Sequence, residues 1–226
     1  MISHRERSVA GGLSRVLAAV GAAVAVLLLT RAAPDFRELG PRGALFGWLA
    51  YVTVVTAGLP AAVMVLGFKL SLLDCGLGWG RTRRDVLWLA VGVALAIAAG
   101  AFLARFPEVK AYYPRYSFVK TEPLLWIPST LAFAAYGLAW ETLFRGHLLL
   151  GLAARGEATL GTVFLVLLQT AVFVVGHADK PSLEIALSVP AGLFLGVLAL
   201  RTRSVLPGFA LHFAASTSVN LFSAYG

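Results

Sequence analysis

Five polar side chains stand inside otherwise apolar stretches of this chain, and their types could do hydrolytic chemistry. Glu141 and Arg145 lie four residues apart and share a helix face. His177 closes the run Phe173-Val174-Val175-Gly176-His177, and His212 and Ser216 share a face further on, with Asn220 one more turn along. A carboxylate in apolar surroundings has its pKa raised by desolvation, which suits it to take a proton from water near neutral pH; the cation of Arg145 opposes that shift. Two imidazoles and a hydroxyl could hold the water and donate to a developing oxyanion. Each site also has a plainer reading. Glu141–Arg145 could be a self-neutralising ion pair. His177 could cap a helix C-terminus. His212 with Ser216 could hydrogen-bond across helices.

The setting gives these residues weight. Of 226 residues, 59% are hydrophobic and 13% charged, about half the charged share of a soluble domain. Mean hydropathy is +0.82. The expected fold is all-α: a polytopic transmembrane bundle of about seven helices, with a C-terminal four-helix core carrying the polar residues. A charge at membrane depth costs about 2.5–3.5 kcal/mol on insertion scales, so intramembrane ionisable groups mark functional candidates.

Charge-free runs place the spans at about Leu13–Thr30, Ala44–Phe68, Val86–Ala104, Leu124–Ala153, Leu160–His177, Ile185–Leu200 and Val205–Phe222. Arg5 and Arg7 before the first run suggest a signal peptide. The run ends in Arg31-Ala32-Ala33-Pro34, a poor cleavage site, so it reads as a retained helix. Gly58-Leu59-Pro60 predicts a kink in the second span. Residues 105–122, with Tyr112, Tyr113, Pro114 and Tyr116, suit a membrane–water interface. Residues 1–123 read as an N-terminal supporting part and 124–226 as the core. Lys and Arg are somewhat more numerous on the side of the N-terminus, favouring an N-in, C-out orientation.

The net charge of +8 comes from short clusters between spans, such as Arg81, Arg83 and Arg84. No long basic face exists for phosphates, so nucleic acid is not an expected partner. The lone Cys75 excludes an intrachain disulfide and a cysteine-based metal cluster. At 1.5 Å per residue, Glu141 lies about 18 Å from the end of its span, His177 about 26 Å from Leu160 and His212 about 10 Å from the start of the last span. With ordinary tilts of about 20° all three can share one layer near mid-membrane.

Glu141 with Arg145, Phe173 with His177, and His212 with Ser216 resemble, in order and spacing, the three motifs of the CPBP family, the CAAX prenyl endopeptidases and bacteriocin-processing (Abi) membrane proteases. That pattern is Glu-Glu-x-x-x-Arg, Phe-x-x-x-His and His-x-x-x-Asn. The resemblance runs from about Leu124 to the C-terminus. It implies a glutamate-dependent intramembrane endopeptidase in which a Glu and the Phe-x-x-x-His histidine activate a water and the last His and its Asn stabilise the oxyanion. Glu141 matches the second Glu, the partner of the Arg. On the residues present Glu141 would accept the proton of a water held with His177, His212 and Ser216 would donate to the oxyanion, and Arg145 would orient Glu141. The implied partners are the lipid bilayer and a membrane-anchored protein or peptide, processed at a CAAX-type or C-terminal sorting signal, in the cytoplasmic membrane of a bacterium. No cofactor is expected; the alternative is zinc on Glu141, His177 and His212, a ligand set that catalytic zinc uses. The chain departs from the pattern twice. Trp140 stands at the first glutamate and Ser216 at the asparagine, and the first departure leaves open a catalytically degenerate scaffold or immunity protein. A transporter is disfavoured, because no two-fold internal repeat is visible.

Overall fold

In a computed structural model, residues 4–81, 86–115, 117–154 and 161–226 are described, and the chain is helical wherever it is regular. The helices are α1 (His4–Arg31), α2 (Gly40–Ala62, continued by a π-turn over Val63–Gly67), α3 (Val86–Leu103), the short α4 (Pro107–Tyr112), α5 (Trp126–Glu141), α6 (Thr162–Gly176), α7 (Ser182–Thr202) and α8 (Leu206–Tyr225). α5 does not stop at Glu141. It runs on as ten residues of π-helix, Thr142–Gly151, and a last turn, Leu152–Ala154. Seven of the eight helices fall where the apolar runs place them, and α4 lies in the interfacial stretch. The start of the fifth span at Leu160, and Arg83, Arg84 and Tyr116, lie outside the described residues.

Helices satisfy all their own backbone polar groups, which is what hydrocarbon surroundings demand. Gly11–Arg31, Arg37–Gly67, Val86–Leu103 and Ser182–Thr202 are each long and apolar enough to cross a bilayer. The outer surface is apolar as well. α3 leaves most of its side chains exposed, Leu87 and Trp88 at 74% each, an apolar face suited to lipid. The protein is thus a multi-pass membrane protein.

The centre is the π-helical continuation of α5, in which every residue from Thr142 to Gly151 is buried. Its wider turn follows directly after Glu141; π segments are rare and concentrate at functional places. α1, α2, α6 and α7 pack around it, α2 also lies along α5, and α3 lies along α8. One apolar core runs through Ala19, Ala23 and Val26 of α1, Leu143 to Leu152, and Phe173 of α6, so it crosses the expected boundary at residue 123. Pro60 sits inside α2, three residues before its π-turn begins.

α6 and α7 approach closely because glycines face them. A Cβ on Gly192 would lie 2.8 Å from Thr170 Cγ2, and one on Gly196 would lie 2.7 Å from Gln169 Nε2. That small-residue contact lets the buried Gln169 amide donate to the Gly192 carbonyl at 2.8 Å. His147, also buried, bonds the Ala19 carbonyl at 3.0 Å and stacks on Phe68; it is a packing residue between α5 and α1.

The segment between α3 and α5 is clasped to the bundle. Ser182 and the Leu183 amide donate to the Glu108 carboxylate at 2.7 and 3.2 Å, closing the start of α7 after Pro181. The Ser182 hydrogen bond holds the Glu108 carboxyl below its ordinary value. A depressed carboxyl favours the folded state above the ordinary carboxylate range, and that contribution disappears as pH falls through the folded value. Glu108→Gln is therefore expected to flatten the acid limb of the unfolding curve below about pH 4.5. Thermal unfolding in detergent between pH 3 and 7 measures it, and an unchanged acid limb would remove the clasp from the account.

Candidate functional site

α5, α6 and α8 bring the sequence-selected residues together. Glu141 and Arg145 are both fully buried, with Arg145 Nη1 donating to Glu141 Oε1 at 3.1 Å. His212, from α8, places Nδ1 2.8 Å from the same oxygen. A carboxylate only accepts, so Nδ1 carries the proton and Nε2 is left as the acceptor of a neutral ring. His177, one residue past the end of α6, places Nδ1 2.8 Å from the Phe173 carbonyl and by the same logic keeps Nε2 as an acceptor. The two imidazoles lie near-parallel, 29° apart, with centroids separated by 6.1 Å.

Arg145 is held from the other side by aromatic rings. Its guanidinium carbon sits 4.2 Å from the centroid of Phe173, a cation–π contact made strong by desolvation. Nε and Nη2 of Arg145 and Oε2 of Glu141 have no hydrogen-bond partner. The ion-pair reading of Glu141–Arg145 therefore holds, but the pair does more than neutralise itself, since it also orients His212.

A cavity of about 100 Å³ opens beside the histidines. His177, His212, Ser216 and Trp140 are among its walls, with Tyr136, Phe209 and Phe213 supplying apolar surface. Glu141 is not a wall. This changes its expected part: a carboxylate sealed from the cavity does not itself meet a water there, because His212 stands between. Ser216 faces the cavity one turn beyond His212, and its hydroxyl has no protein partner among the described residues. Asn220 is committed elsewhere, donating to the Ser216 carbonyl at 2.9 Å and accepting the Arg115 amide at 3.0 Å.

Trp140 occupies the cavity wall next to Glu141. Its ring packs edge-on against Phe144 at 5.0 Å and lies 6.1 Å from that of His177. Gly176 leaves the room, because a Cβ there would come within 2.8 Å of Trp140 Cζ2. Gly208 does the same for Glu141, with a Cβ falling 2.9 Å from Oε2. Alanine in place of a helical glycine ordinarily stabilises by about 0.5–1 kcal/mol. Gly208→Ala is expected to do the opposite, displacing Glu141 from His212. The check is thermal unfolding in detergent: a lowered midpoint is the expected result, and a raised one would mean the carboxylate has slack.

Gly176 and Gly208 were not given a part from sequence, and Phe173, read there as a motif residue, was not expected to hold Arg145. Their one sequence signal is position, each adjacent to or on the face of a motif residue. The mouth of the cavity holds a further network. Lys180 Nζ donates to the Tyr113 hydroxyl at 2.7 Å and pairs with Glu184 at 3.3 Å, while Tyr113 donates to Glu184 at 2.8 Å. Lys180 is a wall of the cavity, whereas Asp179 pairs outward with Arg31.

Among the described residues no group of three His, Cys, Asp or Glu side chains is placed to hold a metal ion. The sequence-level zinc set does not fit: Glu141 Oε1 is already shared by Arg145 and His212, and the guanidinium repels a second cation there.

Comparison with known proteins adds one finding. Residues 122–218 match a family model described as Type II CAAX prenyl endopeptidase, Rce1-like. The resemblance to the CPBP family is borne out. The matched Rce1-like stretch begins just before α5 and takes in Glu141, Arg145, His177, His212 and Ser216. No curated protein and no solved structure matches the chain. At the level of that family, the Rce1-like segment supports a CAAX-type intramembrane protease acting on a membrane-associated substrate.

Proposed function

We propose that the protein is an intramembrane endopeptidase that hydrolyses a peptide bond of a membrane-anchored protein or peptide, at a CAAX-type or C-terminal sorting signal, with a water activated by His212. The carrying observation is the 2.8 Å contact of His212 Nδ1 with a buried carboxylate, beside a cavity that His212 and His177 both line. Glu141 fixes the tautomer and stabilises the imidazolium that forms, the part that a buried carboxylate takes in a catalytic triad. His212 Nε2 takes a proton from water as the oxygen attacks the carbonyl carbon. His177 Nε2 accepts the water's other hydrogen and holds it in place. Ser216 donates to the oxyanion. When the intermediate collapses, the C–N bond breaks and the imidazolium returns its proton to the leaving amine, so the net change is one water consumed and an acid and an amine formed. Arg145 pairs with Glu141 without lining the cavity.

This mechanism uses no metal. Cleavage of a fluorogenic lipid-modified C-terminal peptide by detergent-purified protein should be unchanged after exhaustive chelation. Loss restored by added zinc would overturn the metal-free reading. The proposed place of action is the cytoplasmic membrane of a bacterium.

One observation favours a second reading. Trp140 fills the wall where the family pattern has a glutamate, consistent with a degenerate scaffold or immunity protein. The two readings part on Trp140→Glu: a protein inactive as found and activated by that change is degenerate, whereas the His212 mechanism runs with Trp140 in place.

A further inference from the structure

We infer that the protein carries an anionic-phospholipid site at its membrane interface, with the lipid phosphate on Arg115 and an acyl chain in the recess between α2 and α5. The recess has a volume of about 480 Å³, within the range of small-molecule sites. Its walls are about equally polar and apolar; Ala44 and Leu45 from the start of α2 and Phe133 from α5 supply the apolar part. Arg115 stands at its polar end. It also lines the neighbouring vestibule of about 360 Å³, whose walls include Trp140, Lys180 and Ser216; the recess shares Phe133 with the histidine cavity, but neither histidine lines it.

Arg115 is built into place. Its amide is held by Asn220 Oδ1, its guanidinium hydrogen-bonds the Tyr112 hydroxyl, and the guanidinium carbon lies 4.9 Å from the Tyr112 ring centroid and 5.7 Å from that of Trp48. Tryptophan and tyrosine rings mark the headgroup level of a bilayer. Charge complementarity selects the occupant. Every other cation around these two spaces has a carboxylate: Arg31 has Asp179, Arg42 has Glu122 and Lys180 has Glu184. Arg115 is exposed and has no carboxylate among the described residues. An uncompensated guanidinium at the edge of a groove whose walls are partly apolar matches a negatively charged headgroup with its chain against Ala44, Leu45 and Phe133.

The test uses the full-length protein in neutral detergent, with binding of dihexanoyl phosphatidylglycerol, dihexanoyl phosphatidylcholine, inorganic phosphate and a free-carboxylate tripeptide measured by calorimetry. Binding is read without cleavage, so the result stands whether or not the protease reading does. Wild type should bind phosphatidylglycerol saturably and about fivefold more tightly than phosphatidylcholine. Arg115→Gln should erase that preference, Arg115→Lys should keep it, and Ala44→Trp, which fills the recess and leaves the charge, should weaken both lipids. A preference that survives Arg115→Gln would overturn the inference. So would equal binding of inorganic phosphate, or Arg115-dependent binding of the tripeptide with none of the lipid, which would assign the guanidinium to the substrate.

Discussion

His212→Ala is expected to lower cleavage of a membrane-anchored substrate by about 10²- to 10⁴-fold, the usual worth of a positioned general base, with protein level and helicity unchanged. The size of the effect follows from the geometry. His212 both lines the cavity and contacts the buried carboxylate, so its removal takes the proton acceptor out of the cavity and leaves no imidazole for Glu141 to orient. The His212 side chain is 27% exposed, and helicity measured on the variant separates lost chemistry from lost fold. His177→Ala should lose less, because its ring holds the water without taking the proton. Rates for the two variants on one fluorogenic peptide decide it. Equal, near wild-type rates would return both histidines to the plainer readings of helix cap and interhelical hydrogen bond.

The second large effect is on stability. Arg145→Met should destabilise the protein by about 3–5 kcal/mol, since removing one partner of a buried ion pair strands the other charge. Glu141 would keep His212 but lose the donor at 3.1 Å, in a part of the fold with no water to replace it. The Phe173 ring would lose its cation as well. Unfolding in mixed micelles reports the loss. The matched change Glu141→Met on the Arg145→Met background should recover most of it, because no charge is then left buried. A single variant as stable as wild type would show that solvent or lipid headgroups reach the pair.

Much of this architecture was legible in the sequence because hydrocarbon imposes so strong a rule. Runs such as Val86–Leu103 carry no charge, and charges such as Arg31 or Lys180 stand where runs end, so span positions follow almost directly. The candidate residues were legible for the complementary reason, since Glu141, Arg145, His177 and His212 break the apolar rule. What stayed hidden was how they face one another. Helical spacing shows that Glu141 and Arg145 share a face, and says nothing about which neighbour meets it. Only the packing of α8 against α5 puts His212 on Glu141 and takes the carboxylate out of the cavity. The π-helix after Glu141 was hidden too, because a ten-residue change of turn leaves no periodicity in a stretch buried all round. Trp140 was visible as a departure from the family pattern, but its place in the cavity wall depends on Gly176, from another helix.

In the proposed mechanism Glu141 works through His212. A double-mutant cycle on cleavage tests it most directly, with Glu141→Gln, His212→Ala and the pair together assayed under conditions where each protein is folded. If the carboxylate acts by orienting the imidazole, Glu141→Gln alone costs a large factor, and adding it to His212→Ala costs almost nothing more. A Glu141→Gln protein that cleaves at the wild-type rate, or one whose loss multiplies fully with that of His212→Ala, would contradict the account.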